Sequence, residues 1–206
     1  TVNENNSPPY CDILSPQTGT SGELGALIIF EGSVGDVDIP FSDLGVAWSS
    51  DKDGPIGNLN PNSDGEVSFP FSDLSINTHV VSMTVSDEVG AECVADVIYT
   101  VGSPPTLTLT APTANSTFTV GESISFIAEV TDNEDSPSQI SVDWVSSLDG
   151  LFSSTGPSSN SIAQFSTSSL SNGTHSITVT ATDSDGLYAD ALLDITIYGV
   201  PSQPTV

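Results

Sequence analysis

Two short acidic segments in the second half of the chain carry the side chains best suited to chemistry. Each combines carboxylates with few intervening residues, and the chain has a single Lys and no Arg to neutralise them. Ca²⁺ takes six to eight hard oxygen ligands from flexible loops, and clustered carboxylates repel one another unless a cation intervenes. The pattern therefore predicts a Ca²⁺ site if folding brings the segments together. The acidic ligands in it would be Asp132, Glu134, Asp135, Asp183 and Asp185, with Asn133 as a sixth oxygen-bearing side chain.

The first half of the chain carries a parallel but sparser acidic set. Asp36 and Asp38 lie in one segment, and Asp87 and Glu88 lie in the other. Of these, Asp36 and Asp87 are Asp in both halves, matching Asp132 and Asp183, so they are the candidate Ca²⁺ ligands of the first half. An alternative stays open for both sets, because Asp and Asn also end strands and form turns, which would leave a negative surface to solvent.

The sequence offers little material for catalysis. The two histidines, His79 and His175, occupy matching places in the two halves, so we expect structural roles for both. Lys52 is the one Lys or Arg side chain, which nearly excludes side-chain cations as stabilisers of an oxyanion or a phosphate. Serines are abundant, but the sequence pairs none of them with a histidine. We therefore predict that the chain is not an enzyme.

The elements that position these residues repeat at an offset of 96 positions without a gap. The matched pairs include apolar, aromatic and polar residues, among them Trp48 with Trp144 and His79 with His175. A register held over so many residue types predicts two copies of one structural unit. We place the domains at residues 1–102 and 103–199, with residues 200–206 as the start of a linker to a following domain.

The charge of the chain limits its partners. With 27 acidic residues and one basic residue, its formal net charge is −26. Such a surface repels phosphate backbones and anionic headgroups, so we expect no nucleic acid partner. No run of 18 apolar residues occurs, so we expect no membrane insertion of this segment.

Short runs with period-two alternation, rich in Val, Ile, Thr and Phe and broken by Gly, Pro, Asn and Asp, predict strands throughout. In the second half they number seven, which is the count of an immunoglobulin-like sandwich. We therefore predict an all-β chain of two tandem immunoglobulin-like Greek-key sandwiches, with Trp48 and Trp144 in their cores. The seven predicted strands are 107–111, 123–130, 140–146, a short one near Phe152, 162–166, 175–182 and 187–197.

Several motifs in this order resemble the PKD-type and cadherin-like repeats of prokaryotic surface proteins. They are the strand ends TVSDEVG at 84–90 and TATDSDG at 180–186, a Trp followed by an Asp-Gly turn, and a Leu followed by Thr-His before the sixth strand. The resemblance covers both repeats. It implies a cell-surface or extracellular array module, and cadherin-like arrays use Ca²⁺ to stiffen the joints between repeats.

The predicted sandwich also brings the acidic segments together. The loops after the second and sixth strands lie at one pole, where the chain enters, so Asp132 to Asp135 should meet Asp183 and Asp185. This pole of repeat 2 should face repeat 1, and we expect bound Ca²⁺ to stiffen that joint.

The two cysteines occur in repeat 1 alone. Cys11 lies on the first predicted strand and Cys93 at the start of the last, and both fall in the inward phase, where repeat 2 has Leu107 and Ala189. First and last strands run side by side in such sandwiches, so we predict a Cys11–Cys93 disulfide and an oxidising compartment. Two reduced core thiols are the alternative.

These features predict a structural spacer or stalk module whose partners are neighbouring domains of the same longer chain. The alternatives are an adhesive or carbohydrate-binding module, with a cell-surface or glycan partner that the sequence does not name, and a subunit of a surface filament that donates its N-terminal segment to a neighbour's sheet.

Overall fold

The computed structural model describes residues 6–199, so the predicted linker at 200–206 lies outside the described residues. The chain divides into two compact units between Gly102 and Ser103, here called repeat 1 and repeat 2. Within residues 6–199 the helical segments are two 3₁₀ turns, Phe41–Asp43 and Pro137–Gln139, and no helix is long and apolar enough to cross a membrane.

Repeat 1 is a sandwich of two sheets built from eight strands. A three-stranded sheet has the order β1-β3-β6, and a five-stranded sheet has the order β2-β8-β7-β4-β5. All neighbours pair antiparallel except β2 and β8, which are parallel. The strands are β1 (Tyr10–Ser15), β2 (Thr20–Glu23), β3 (Ile28–Gly35), β4 (Gly45–Ser50), β5 (Gly54–Asn58), β6 (Glu66–Phe71), β7 (Asn77–Ser86) and β8 (Glu92–Gly102).

Repeat 2 has the same two sheets, ordered β9-β11-β14 and β10-β16-β15-β12-β13. Its strands are β9 (Thr106–Ala111), β10 (Ser116–Thr119), β11 (Ile124–Thr131), β12 (Ser141–Ser146), β13 (Gly150–Ser153), β14 (Ile162–Thr167), β15 (Gly173–Thr182) and β16 (Tyr188–Tyr198). The all-β fold and the paired sheets confirm the predicted class.

Each repeat has eight strands, one more than the seven predicted. The additional strand is β2 in repeat 1 and β10 in repeat 2, a four-residue segment that pairs in parallel with the last strand of its repeat. Four residues are too few for a period-two pattern to be recognised, and parallel pairing with a distant strand leaves no local signal.

Each repeat buries its own core between its two sheets because apolar residues alternate along the strands. Trp48 is 1% exposed and Trp144 is fully buried, which confirms their predicted place in the core. Around Trp48 pack the rings of Phe30 and Phe69, at centroid distances of 5.6 Å in both cases. Repeat 2 repeats this cluster with Phe126 and Phe165 around Trp144.

The predicted disulfide is present between Cys11 and Cys93, whose Cα atoms are 5.9 Å apart. Its setting differs from the one we expected, because β1 is not hydrogen-bonded to β8. Cys11 lies in the three-stranded sheet and pairs with Val34, whereas Cys93 lies in the five-stranded sheet and pairs with Val85. The bond therefore joins the two sheets of repeat 1 across one margin of the core.

Candidate functional site

The two acidic loops of repeat 2 lie together, as the sequence predicts. One follows β11 and spans residues 132–135, and the other joins β15 to β16 and spans residues 183–187; together they are called the acidic pole. The carboxylate of Asp135 connects them, because it accepts hydrogen bonds from the backbone N–H of Ser184 at 2.7 Å and from its hydroxyl at 2.9 Å.

Within the acidic pole, Asp132 has one oxygen occupied and one without a partner. Its Oδ1 accepts hydrogen bonds from the backbone N–H groups of Glu134, at 2.7 Å, and Asp135, at 2.8 Å. Its Oδ2 is buried and has no hydrogen-bond partner in residues 6–199. A carboxylate oxygen removed from water without a donor is costly, so this atom has unmet capacity for a donor or a cation.

Asp183 and Asp185, in the second loop of the acidic pole, both have raised pKa values. Partial removal from water raises the pKa of Asp183, and the nearby charges of Asp132 and Asp185 raise it further, against the backbone N–H groups that lower it. The pKa of Asp185 is raised by the same desolvation and by the charges of Asp135, Glu134 and Asp132. The five predicted acidic ligands are therefore close enough to repel one another.

Glu134 ties the acidic pole to the start of repeat 2. Its carboxylate accepts hydrogen bonds from the backbone N–H of Ser103 at 3.2 Å and from the Ser103 hydroxyl at 3.1 Å. The segment that leads into β9 is therefore anchored to the loop that contains Asp132.

In the corresponding loops of repeat 1, a neutral donor reaches Asp87, whereas Asp36 keeps one carboxylate oxygen without a partner. The side-chain amide of Asn6 donates to Oδ2 of Asp87 at 2.7 Å, and this hydrogen bond is the main reason why the pKa of Asp87 is lowered. At the offset of 96 residues, Asn6 matches Gly102, which has no side-chain donor. Asp36 resembles Asp132, since its Oδ1 accepts from the N–H of Asp38 at 2.6 Å and its Oδ2 is buried without a partner.

The side chains of the acidic pole do not already surround one point. Within residues 6–199, no group of three or more His, Cys, Asp or Glu side chains is arranged so that it could hold a metal ion. The structure thus brings the predicted ligands of repeat 2 into one region: Asp132, Glu134, Asp135, Asp183 and Asp185. The other two predicted ligands, Asp36 and Asp87, belong to repeat 1.

The histidines belong to a second constellation, which the sequence did not predict. In repeat 1, the Nδ1 atom of His79 is 2.8 Å from the Ser50 hydroxyl, and its Nε2 is 2.7 Å from the backbone carbonyl oxygen of Ser75. A carbonyl can only accept, so Nε2 carries a proton, and in the neutral imidazole Nδ1 accepts from the Ser50 hydroxyl. The carboxylate of Asp53 lies 3.7 Å from Nδ1 and accepts from the N–H and hydroxyl of Ser75.

Repeat 2 contains the same arrangement with Ser146, His175, Ser171 and Asp149. Both imidazoles are fully buried, and Ser50 and Ser146 are 4% and 2% exposed. No substrate can reach these serines, although the residue types are those of an acyl-transfer triad. The networks instead fasten the turn after β4 or β12 to the loop before β7 or β15. The matching positions of Ser50 with Ser146 and Asp53 with Asp149 were the signal that could have revealed them.

Comparisons with known proteins support immunoglobulin-like repeats in tandem. The family described as "Bacterial Ig domain" matches residues 105–179, within repeat 2. Among solved structures, the chain is similar to the fibronectin(III)-like modules of CbhA from Clostridium thermocellum, with 19% identity and a TM-score of 0.55 over 96% of this chain and 100% of that chain. No curated protein sequence matches the chain.

A second similar structure is the I-band fragment I67–I69 of titin, with 15% identity and a TM-score of 0.51 over 94% of this chain. This chain spans 66% of the length of that fragment. Identities this low show the fold alone, and the PKD-type and cadherin-like subtypes stay predictions. Proteins of immunoglobulin-like and fibronectin-like folds are generally not enzymes.

Proposed function

We propose that this chain is a spacer segment of an extracellular or cell-surface array, in which the two repeats hold neighbouring domains apart. The observation that carries the proposal is where the repeated residues lie. Trp48, His79 and Ser50, like their counterparts in repeat 2, are buried in the cores and beneath the turns. The residues that recur in both repeats are therefore those that hold each domain together. This is expected when the function of a repeat is to supply a folded domain of fixed length.

The disulfide supports the extracellular part of this proposal. Disulfides persist in oxidising environments and are rare in the cytosol of mesophiles. The expected result is that antibody against this segment labels intact source cells or the secreted fraction, and that the purified chain sediments as a monomer over a wide concentration range. Polymers that grow with concentration would instead favour the filament alternative, and purely cytosolic protein would contradict the proposal.

We further propose that Ca²⁺ stabilises repeat 2 at the acidic pole. The buried Oδ2 of Asp132 has no partner, and desolvation together with neighbouring negative charges raises the pKa of Asp183 and Asp185. Asp132 and Asp183 would bind the ion, with Asp135, Glu134 and Asp185 turning toward it. The ion would supply the positive charge that this part of the chain lacks, and would thereby hold the two loops together.

Thermal unfolding of the whole chain with EDTA or with Ca²⁺ tests this second proposal. Trp144 fluorescence in a Trp48→Phe background reports on repeat 2 alone. A site saturated at 100 times its Kd adds about 2.7 kcal/mol, so Ca²⁺ should raise the Tm of repeat 2 by about 10 °C or more. Mg²⁺, which demands a tighter octahedral geometry, should raise it less.

A matched pair of variants locates the effect. Asp183→Asn should abolish the response to Ca²⁺, whereas the equivalent Asp87→Asn in repeat 1 should leave the response of repeat 2 intact. A Ca²⁺-dependent shift below about 1 °C would refute the Ca²⁺ site without affecting the spacer proposal, because the spacer role rests on the buried scaffold and not on the acidic pole.

A further inference from the structure

A polar groove lies on the outer face of the five-stranded sheet of repeat 1, between β4, β5 and β7. Its volume is about 380 Å³, within the usual range of about 300–1,000 Å³ for small-molecule sites. Gly45 and Ala47 form its floor, because both are exposed on this face and have small or absent side chains. Its polar walls are Asn58, Asn60, Thr84, Ser86 and Glu92.

The polar walls are not satisfied by the protein. Both amides, both hydroxyls and the single carboxylate lack a side-chain hydrogen bond to any part of the chain that the structure describes. The Thr84 hydroxyl has no partner on the neighbouring strand because the residue opposite it on β8 is Val94, which cannot accept a hydrogen bond. Five side chains thus converge on one groove with free donors and acceptors.

On the same face of repeat 2, larger polar side chains occupy the matching positions and form hydrogen bonds within the protein. Asp143 stands where repeat 1 has Ala47, and its carboxylate accepts from the hydroxyl of Ser154 at 2.6 Å. Thr180, the counterpart of Thr84, donates to Asp190 at 2.6 Å, which replaces Val94. Ser141 replaces Gly45 and donates to the carbonyl of Thr182 at 3.3 Å. Repeat 1 therefore has small side chains and unpaired polar groups where repeat 2 has larger side chains that are hydrogen-bonded within the protein.

The chemistry of the walls identifies the kind of ligand. Asn amides and Thr or Ser hydroxyls both donate and accept, which matches the hydroxyl groups of a sugar. Anionic ligands are disfavoured, because Glu92 lies in the wall and the chain carries a net charge of −26. We propose that this groove binds a neutral saccharide, whose hydroxyls would bond the walls and whose C–H face would lie over Gly45 and Ala47.

This inference goes beyond the spacer role and can be tested separately from it. Cellohexaose, xylohexaose, mannohexaose and laminarihexaose, each at about 10 mM, are titrated into the whole ¹⁵N-labelled chain while amide shifts are followed. We expect at least one of them to shift the amides of residues 45–47, 58–60 and 84–86 in repeat 1. Because the groove is open and has no aromatic wall in its lining, we expect a Kd in the millimolar range.

Variants taken from repeat 2 provide the decisive comparison. Ala47→Asp installs the larger, charged residue that repeat 2 has at the matching position, and Thr84→Val removes a wall hydroxyl with little change in volume. Each should weaken binding at least about fivefold while leaving the Tm within about 2 °C of the unsubstituted chain. Val145→Asp adds the same charge on an exposed strand position of repeat 2 and should leave binding unchanged.

Two outcomes would overturn the proposal. One is that none of the four saccharides shifts the groove amides at these concentrations. The other is that a saccharide binds but Ala47→Asp and Thr84→Val, both folded as judged by their amide spectra, bind it as well as the original chain.

Discussion

Removal of the Cys11–Cys93 disulfide should destabilise repeat 1 by about 4 kcal/mol and leave repeat 2 unaffected. The bond joins residues 82 positions apart, and in the chain-entropy model a closed loop of this length restricts the unfolded state by about 4.5 kcal/mol at 25 °C. The best replacement is Cys11→Leu with Cys93→Ala, because Leu107 and Ala189 fill the same places in repeat 2. These side chains restore apolar packing, so the remaining loss reports the cross-link.

Urea unfolding of the whole chain measures the effect repeat by repeat. In a Trp144→Phe background, fluorescence reports Trp48 and hence repeat 1, whereas Trp48→Phe reports repeat 2. With a denaturant slope of about 2 kcal/mol per M, the midpoint of repeat 1 should fall by about 2 M. The two buried cores share no residue, so the midpoint of repeat 2 should not move.

Reduction supplies an independent control. Dithiothreitol should lower the midpoint of the original chain toward that of the double variant, and should have no effect on the variant itself. A loss below about 1 kcal/mol in both experiments would show that the unfolded chain of repeat 1 is already restricted without the bond, and the loop-entropy argument would be wrong.

Three further predictions concern residues at matched positions. His79→Ala and His175→Ala should each lower the unfolding free energy of their own repeat by about 3 kcal/mol, because each leaves a cavity and an unpaired buried serine. Urea unfolding measures this loss, and a loss under about 1 kcal/mol would contradict the prediction. Ser161 adopts a φ of +65° where repeat 1 has Gly65 at +78°. Ser161→Gly should therefore stabilise repeat 2 by about 1 kcal/mol in the same assay. If the unfolding free energy does not rise, the backbone of Ser161 is not strained. Without metal at pH 7, Asp183→Asn should stabilise repeat 2, because a carboxyl whose pKa is raised in the folded state weakens the fold once it ionises. Asp87→Asn should destabilise repeat 1, because the pKa of Asp87 is lowered in the folded state. Both changes in stability should vanish well below pH 3.8, and changes of the same sign in the two repeats would refute the electrostatic reasoning.

The predictable part of the site was the placement of its loops. Once alternating strands indicated a sandwich, the loops that contain Asp132 and Asp183 had to lie at one pole, and Asp135 does bond Ser184 across them. The donors of each carboxylate could not be predicted in the same way. Asn6 reaches Asp87 from 81 positions away, and no local pattern marks such a contact.

The sequence by itself determined the fold class, the offset of the repeats and the buried tryptophans. These follow from alternation and from the recurrence of residue types, which are properties of neighbours along the chain and of two aligned copies. They persist whatever the details of packing.

Tertiary structure alone decided which polar groups are satisfied. It pairs each buried histidine with a serine 29 positions away and leaves Oδ2 of Asp132 without a donor. It also opens a groove over Gly45 and Ala47 in repeat 1, whereas the matching Asp143 of repeat 2 bonds Ser154. The physical reason is that a hydrogen bond requires a distance of about 3 Å and a suitable angle, and these are set by strands that are remote in sequence.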